Sequence, residues 1–165
     1  MSQTSFWASK VRQFRAHLRA TVGPEERAGL ATWTTPAERR LFDTMHVADQ
    51  RHGLDVVASL RADGVSDGNV LVAGLIHDAG KGDTGVWPRV VYSLGQAYGS
   101  WIWQLAGRWP GMSTTLQRLH EHAELSAVLA AEAGCSERTV QLIRYQDDPR
   151  DPDFGELLRL ADEAN

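Results

Sequence analysis

Apolar residues recur every three or four positions along most of this chain, and this spacing is the feature that most limits how it can fold. Turn-forming residues interrupt the pattern at short intervals, as at Gly23-Pro24, Asp63-Gly64 and Pro110-Gly111. A period of three to four is typical of amphipathic helices, whereas half-buried strands alternate with a period of two. Because no segment alternates convincingly between turn signals, the pattern predicts an all-α protein, a helical bundle of six to eight helices.

The size and charge of the chain narrow the classes of function. At 165 residues it has the length of one domain with a real core. The formal net charge is -4, so we expect no extended nucleic-acid surface. A single cysteine, Cys135, excludes an internal disulfide framework, and the N-terminus has no signal-peptide pattern. These features predict a cytoplasmic protein, while its oligomeric state is not predicted.

Residues 1–34 are predicted to form an amphipathic helix and a connector packed on the main domain, which spans residues 35–165. The helix would end at Gly23-Pro24, and its apolar face holds Trp7, Val11, Phe14, Leu18 and Val22. Its other face is basic, with Lys10, Arg12, Arg15 and Arg19. A solvated face on a helix that covers the core is the preferred interpretation, and a membrane-surface or partner helix is the alternative.

A tryptophan-rich segment, Val86 to Met112, holds four of the six tryptophans. Polar residues and two prolines interrupt it too often for a membrane-spanning helix. Peripheral contact with a membrane surface is one interpretation. The composition favours the other, in which these aromatic side chains belong to the core or line a pocket.

One histidine is predicted to face inward from the first long helix of the main domain. Thr35-Pro36-Ala37-Glu38 has the pattern of a helix start, with Thr35 as the cap. If that helix runs unbroken, its apolar stripe comprises Leu41, Met45, Ala48, His52 and Val56. His46 falls outside this stripe, so it is not expected to share a site with His52.

The stretch Leu75-Ile76-His77-Asp78-Ala79-Gly80-Lys81 carries the clearest chemical signal. His77 follows Val70 and Ala73 at helical spacing and should also face inward. An imidazole next to a carboxylate offers mixed nitrogen and oxygen donors to a metal ion, and Lys81 could hold an anion beside it. The dyad supplies two ligands only, and the other candidates are His52, His120, His122 and the acidic residues of the last helix.

Each candidate also has a purely structural interpretation. A single inward histidine is more often a hydrogen-bonded core residue than a ligand, and His77-Asp78-Lys81 could serve only to end a helix. For His120 a surface position is favoured. For His122, at the start of a helix expected from about Ala123 to Gly134, capping and participation in the site are equally supported.

Taken together, these residues resemble the HD superfamily of metal-dependent phosphohydrolases. The matching motifs are Arg51-His52, the stretch Leu75 to Lys81, and Leu160-Ala161-Asp162, and His77 follows His52 by 25 residues. The resemblance covers roughly Pro36 to Asn165. It implies an all-α bundle in which His52, His77, Asp78 and Asp162 bind one divalent ion, whether Mn, Co, Ni, Fe, Mg or Zn.

Relatives with a second metal take further histidines from two later helices. His122 resembles the first of these, but Ile143-Arg144-Tyr145-Gln146 has Tyr and Gln where a second histidine is expected. The resemblance therefore implies one metal rather than two.

The resemblance implies hydrolysis of a small phosphomonoester or phosphodiester, such as a nucleotide, by metal-activated water. Asp78 would accept a proton, Lys81 would neutralise phosphate charge, and His122 would contact the substrate or protonate the leaving group. Other basic and acidic residues could also bind phosphate or support the ligands: Arg51, Asp83, Arg89 and Arg144.

Three alternatives stay open at this point. The first is a catalytically degenerate HD domain that binds a nucleotide or a partner and regulates. The second is a membrane-associated hydrolase, suggested by the basic first helix and the tryptophan-rich segment. The third is oxygenase chemistry at two irons, which would need more ligands than this chain offers.

Overall fold

The computed structural model describes residues 20–82, 84 and 86–165, apart from six side chains of the fifth helix (86, 87, 89, 93, 96 and 97). Within these ranges there are ten α-helices and no β-strand, which confirms the all-α prediction. The helices are α1 Pro24–Leu30, α2 Pro36–Thr44, α3 Val47–Ala62, α4 Gly68–Ile76, α5 Val86–Tyr98, α6 Trp101–Ala106, α7 Met112–His120, α8 His122–Glu132, α9 Glu137–Arg144 and α10 Gly155–Ala164. A short 3₁₀ helix, Ala79–Lys81, follows α4.

Helix α4 lies at the centre of the bundle. Every residue from Val70 to Ile76 is buried, so this helix is apolar on all sides rather than on one stripe. It packs against α2, α3, α9 and α10. The Cα of Gly53 on α3 lies so close to α4 that an added Cβ would fall 2.3 Å from the carbonyl oxygen of Leu75. The two helices therefore meet through their main chains.

Several helix ends form as the sequence predicts. Thr35 Oγ1 accepts a hydrogen bond from the Glu38 amide, and the Glu38 carboxylate accepts one from the Thr35 amide. Asp67 and Ser136 cap α4 and α9 in the same way, through the amides of Asn69 and Thr139. Each cap satisfies amide groups that the first turn of a helix leaves without a carbonyl partner.

The expected unbroken helix from Pro36 to Val56 is instead two helices, α2 and α3. Met45 is extended (ψ 151°), and the Nδ1 atom of His46 caps α3 by accepting from the Ala48 amide. The buried carboxamide of Gln50 donates to the carbonyl oxygens of Phe42 and Met45, both at 3.0 Å. Because of these bonds, the carbonyl groups at the end of α2 keep hydrogen-bond partners inside the protein although the helix is broken.

The predicted N-terminal helix lies almost wholly outside the described residues, but its connector is described. Residues 20–23 are not helical, and Gly23 precedes a further helix, α1. Leu30 of α1 is buried in the core, Arg27 pairs with Asp43, and Glu26 pairs with Arg51. The number of helices exceeds the expected six to eight for three reasons: the additional helix α1, the break at residue 45 and the division between α5 and α6. No helix in the described ranges is both long and apolar enough to cross a membrane.

Candidate metal centre

Helices from distant parts of the chain bring His52 and Asp162 together. His52 lies on α3 and Asp162 on α10, and the His52 Nε2 atom is 2.7 Å from Asp162 Oδ1. The side chains are 23% and 38% exposed, so this side of the cluster is open to solvent. A ligand could reach the two residues from here without a change of fold.

His77 occupies the closed side of the same cluster. It follows the last residue of α4, is 2% exposed, and its Nδ1 atom donates to the Gly74 carbonyl at 3.0 Å. This bond places the proton on Nδ1 and leaves the lone pair on Nε2 directed at the cluster, an orientation common among metal-bound histidines. His77 Nε2 lies 3.3 Å from Asp162 Oδ1, and the ring centroids of His52 and His77 are 5.2 Å apart.

Asp78 uses its two carboxylate oxygens differently. Oδ2 accepts a charged hydrogen bond from the Lys81 ammonium group. Oδ1 is 3.5 Å from His77 Nε2 and 3.7 Å from His122 Nε2. Although the side chain is only 2% exposed, Oδ1 has no hydrogen-bond partner within the described part of the chain. The lysine thus fixes the carboxylate while one oxygen stays available.

The donor atoms fit a metal ion. The ligand atoms of His52, His77 and Asp162 all lie within 4.8 Å of one another. His77 Nε2, like Asp78 Oδ1, is buried without a hydrogen-bond partner among the described residues. Leaving two buried polar atoms unpaired costs several kcal/mol, on the order of 1–3 each. Ligands that lie about 2.1 Å from one ion are separated by roughly 3.0–3.4 Å. The contacts of the two histidines with the carboxylates, 2.7 to 3.5 Å, are close to this spacing.

The cluster has an excess of negative charge when no cation is bound. Burial opposes the charged form of His77, but the Asp78 and Asp162 carboxylates outweigh it and raise the pKa of His77 to about 9. Burial likewise opposes the ionised form of Asp162, yet its hydrogen bond with His52 and the charge of the neighbouring His77 hold its pKa far below the ordinary range. Either a proton on His77 or a metal ion can compensate this charge, so metal binding competes with protonation.

His122 begins α8 on the far side of Asp78. Its Nδ1 atom donates to the Leu119 carbonyl at 2.8 Å, which again leaves Nε2 facing the site. The Gln146 carboxamide lies 3.1 Å from that Nε2 atom and is buried. Burial and the Lys81 charge lower the pKa of His122. A neutral imidazole therefore faces Asp78, with an amide beside it where a second metal ligand would be needed.

Arg118 lies next to the site, although it belongs to none of the motifs in the sequence. Its Nε atom donates to the Gly80 carbonyl at 2.9 Å, and its guanidinium carbon lies 2.9 Å from where a Gly82 Cβ would be. It thus packs on the segment that carries Lys81. No local pattern marks it, because the contact joins residues 38 positions apart; only the absence of side chains at Gly80 and Gly82 hints at a close neighbour.

The other residues considered as phosphate-binding or supporting residues are paired outside the metal cluster or are not described. Arg51, beside His52 in sequence, pairs with Glu26 and Asp55. Arg144 pairs with Glu124. His120 is exposed, as expected, and His46 caps α3. Asp83, the Arg89 side chain and the first helix, including its basic residues, lie outside the described residues.

Comparison with protein-family models, with curated proteins and with solved structures gives no match.

Proposed function

We propose that this protein is a metal-dependent phosphohydrolase of the HD type, which acts on a small phosphomonoester or phosphodiester such as a nucleotide. One observation carries the proposal: His77 Nε2 and Asp78 Oδ1, both buried and both without a hydrogen-bond partner in the described structure, lie 3.5 Å apart beside His52 and Asp162. Nitrogen and carboxylate donors that meet in this way are typical of a divalent-metal site. The four residues are the ones that the HD resemblance assigns to the metal.

The charges around the cluster favour a phosphate substrate. Lys81 is held on Asp78, and Arg118 is held on the adjoining main chain at Gly80. A guanidinium and an ammonium group near a divalent ion would give the site a net attraction for anions. Since His52 and Asp162 are partly exposed, a phosphate group can approach from their side.

A divalent ion held by these residues would act as a Lewis acid, lowering the pKa of a water molecule and polarising a phosphoryl oxygen. Asp78 and Lys81 form one unit in which the lysine neutralises charge that develops on the phosphate. His122 presents an unprotonated Nε2 atom to the same space and is placed to exchange a proton with the attacking water or with the leaving group. The Gln146 amide holds that imidazole in position.

The test is to purify the full chain without chelator, measure its metal content, and assay phosphate esters and nucleotides with added Mn²⁺, Co²⁺, Ni²⁺ or Mg²⁺. We expect about one ion per chain, and turnover that His77→Ala or Asp162→Asn reduces by at least about 1,000-fold. His120→Ala and Glu163→Gln are matched controls outside the cluster, and both should keep activity.

Two results would overturn the proposal. Bound metal without turnover on any ester would instead favour the regulatory binding module. A chain that binds no divalent ion would remove the basis for both functions.

A further inference from the structure

Four large apolar side chains form an exposed patch on and around α6. They are Tyr98 (51% exposed), Trp101 (60%), Leu105 (58%) and Trp109 (68%), called the aromatic patch below. Trp101 and Leu105 are one helical turn apart and therefore lie on the same face of the helix. Trp101 Nε1 donates to the Tyr98 carbonyl at 3.2 Å, so Tyr98 and Trp101 are held next to each other. The prediction that the aromatic residues of this segment are core or pocket wall does not hold for these positions.

The orientation of α6 is set by a different tryptophan. Trp103 stacks on Tyr92 with ring centroids 5.3 Å apart, and its Nε1 atom donates to the Tyr92 carbonyl at 3.1 Å. Its ring also covers Gly95, where even a Cβ would collide with it. Side chains two positions away on a helix point about 200° apart, so Trp101 and Leu105 face away from α5. The exposure of the patch therefore follows from the packing of its neighbour.

The stretch of sequence that carries the aromatic patch differs in charge from the whole chain. Residues 84–120 contain none of the 21 acidic residues, whereas the complete chain has a net charge of -4. Arg108 is exposed and lies between Leu105 and Trp109 in sequence. Exposed tryptophan with arginine, in a stretch that carries no carboxylate, matches the interface of an anionic lipid bilayer, where indole rings lie among the headgroups.

The size of the patch argues against a second copy of the chain as its partner. Four side chains with these exposures present on the order of 500 Å², while a stable interface buries about 800 Å² on each partner. A lipid surface needs no matching shape, and a few inserted aromatic and basic side chains give reversible binding.

We propose that the aromatic patch docks the protein on the surface of anionic lipid membranes. Helix α6 lies along the interface, Trp101 and Trp109 enter the headgroup region, and Arg108 contacts lipid phosphate. This inference does not depend on the proposed hydrolase activity, since the aromatic patch shares no residue with the metal cluster.

The test is sedimentation of the full chain with vesicles of phosphatidylcholine alone, or of phosphatidylcholine and phosphatidylglycerol in equal parts. We expect binding to the anionic vesicles, weakened at least about 10-fold by Trp101→Ala combined with Trp109→Ala, and lost at high salt. Val128→Ala with Leu160→Ala, at other exposed apolar positions, is the matched control. Arg108→Glu should weaken binding more than Arg40→Glu does. Brominated lipid should quench tryptophan emission less in the double variant than in the wild type.

Three outcomes would overturn this inference. The first is no binding to anionic vesicles. The second is binding that the double variant leaves unchanged, which would assign it to the basic N-terminal residues. The third is concentration-dependent dimerisation that the double variant abolishes, which would identify a second copy as the occupant. Since the substituted side chains are exposed, unchanged circular dichroism and thermal midpoints would show that the variants are folded.

Discussion

His77 Nε2 and Asp78 Oδ1 lie 3.5 Å apart, both buried and both without a hydrogen-bond partner in the described structure, although their residues are neighbours in sequence. Their other polar atoms are bound, Nδ1 to the Gly74 carbonyl and Oδ2 to Lys81. The main chain and the lysine thus hold two donors in place with their free atoms on the same side. A cation is the ligand that this arrangement favours most.

A divalent ion should therefore stabilise the fold. With the ion at about 100 times its dissociation constant, linkage adds about 2.7 kcal/mol, or roughly 5–10 °C in the thermal midpoint of a chain of this size. Thermal unfolding with Mn²⁺ and with chelator measures this difference. Asp162→Asn should abolish it, while Glu163→Gln, next to Asp162 but paired with Arg159, should retain it. An equal shift in Asp162→Asn would contradict the assigned ligand.

Replacing Gln146 should change the number of metal ions. The Gln146 amide lies 3.1 Å from His122 Nε2, and that atom is 3.7 Å from Asp78 Oδ1. In Gln146→His an imidazole takes the place of the amide, so His122, the new histidine and Asp78 offer three donors for a second ion. We expect the metal content, measured by atomic emission, to rise from about one to about two ions per chain.

Gln141→His is the control for that measurement, since it adds a histidine on α9, just before the turn that carries Gln146, at a position where Gln141 bonds to Glu137. It should leave the metal content unchanged. A Gln146→His protein that still binds a single ion would show that His122 is not placed to be a ligand.

Arg118→Ala should weaken substrate binding more than it slows turnover. The guanidinium group is fixed on Gly80 beside Lys81, where it can donate to an anion in the ground state and the transition state alike. Loss of one such charged hydrogen bond corresponds to about a 10-fold rise in KM with kcat within about 3-fold. Steady-state kinetics of Arg118→Ala and Arg118→Lys, with exposed Arg40→Ala as control, measure this. A fall in kcat at constant KM would contradict a role in binding.

Cys135 should react slowly with alkylating agents. Burial, and next the neighbouring Glu38 carboxylate, raise the pKa of its thiol to about 12. The thiolate is the reactive form, so at pH 8 the rate should be at least about 100-fold below that of a free thiol and should keep rising with pH. In Glu38→Gln the removal of the negative charge lowers the pKa, so the reaction should become faster. Mass-spectrometric rates of carbamidomethylation at several pH values decide this, and an unchanged rate would contradict the role of Glu38.

The local features of the fold could be predicted from the sequence because local chemistry determines them. Thr35 and Glu38 form their reciprocal cap, and Asp63-Gly64 ends α3, with Gly64 at φ 84°. His77 is buried as helical spacing from Val70 predicts. These outcomes depend on bonds and periodicities that span only a few residues.

Long-range contacts determine what the sequence could not show. The helical spacing of apolar residues continues through Met45, yet the helix breaks there. The break is possible because the Gln50 side chain, five residues further, donates hydrogen bonds to carbonyl groups at the end of α2. Arg118 reaches Gly80 through tertiary packing alone. The exposure of Trp101 depends on how Trp103 packs on α5, and no pattern within α6 distinguishes these two indole rings.

The contact between Gly53 and the Leu75 carbonyl sets the spacing of His52, which precedes Gly53, and His77, two residues after Leu75. Main-chain atoms form this contact, so repacking the surrounding core offers no means of widening or narrowing it, and an alanine at position 53 would have to push the helices apart. The distance between the two main-chain segments that carry the imidazoles is thus fixed. Any tuning of ion preference, by evolution or by an engineer, would act on the carboxylates, and above all on the more accessible Asp162.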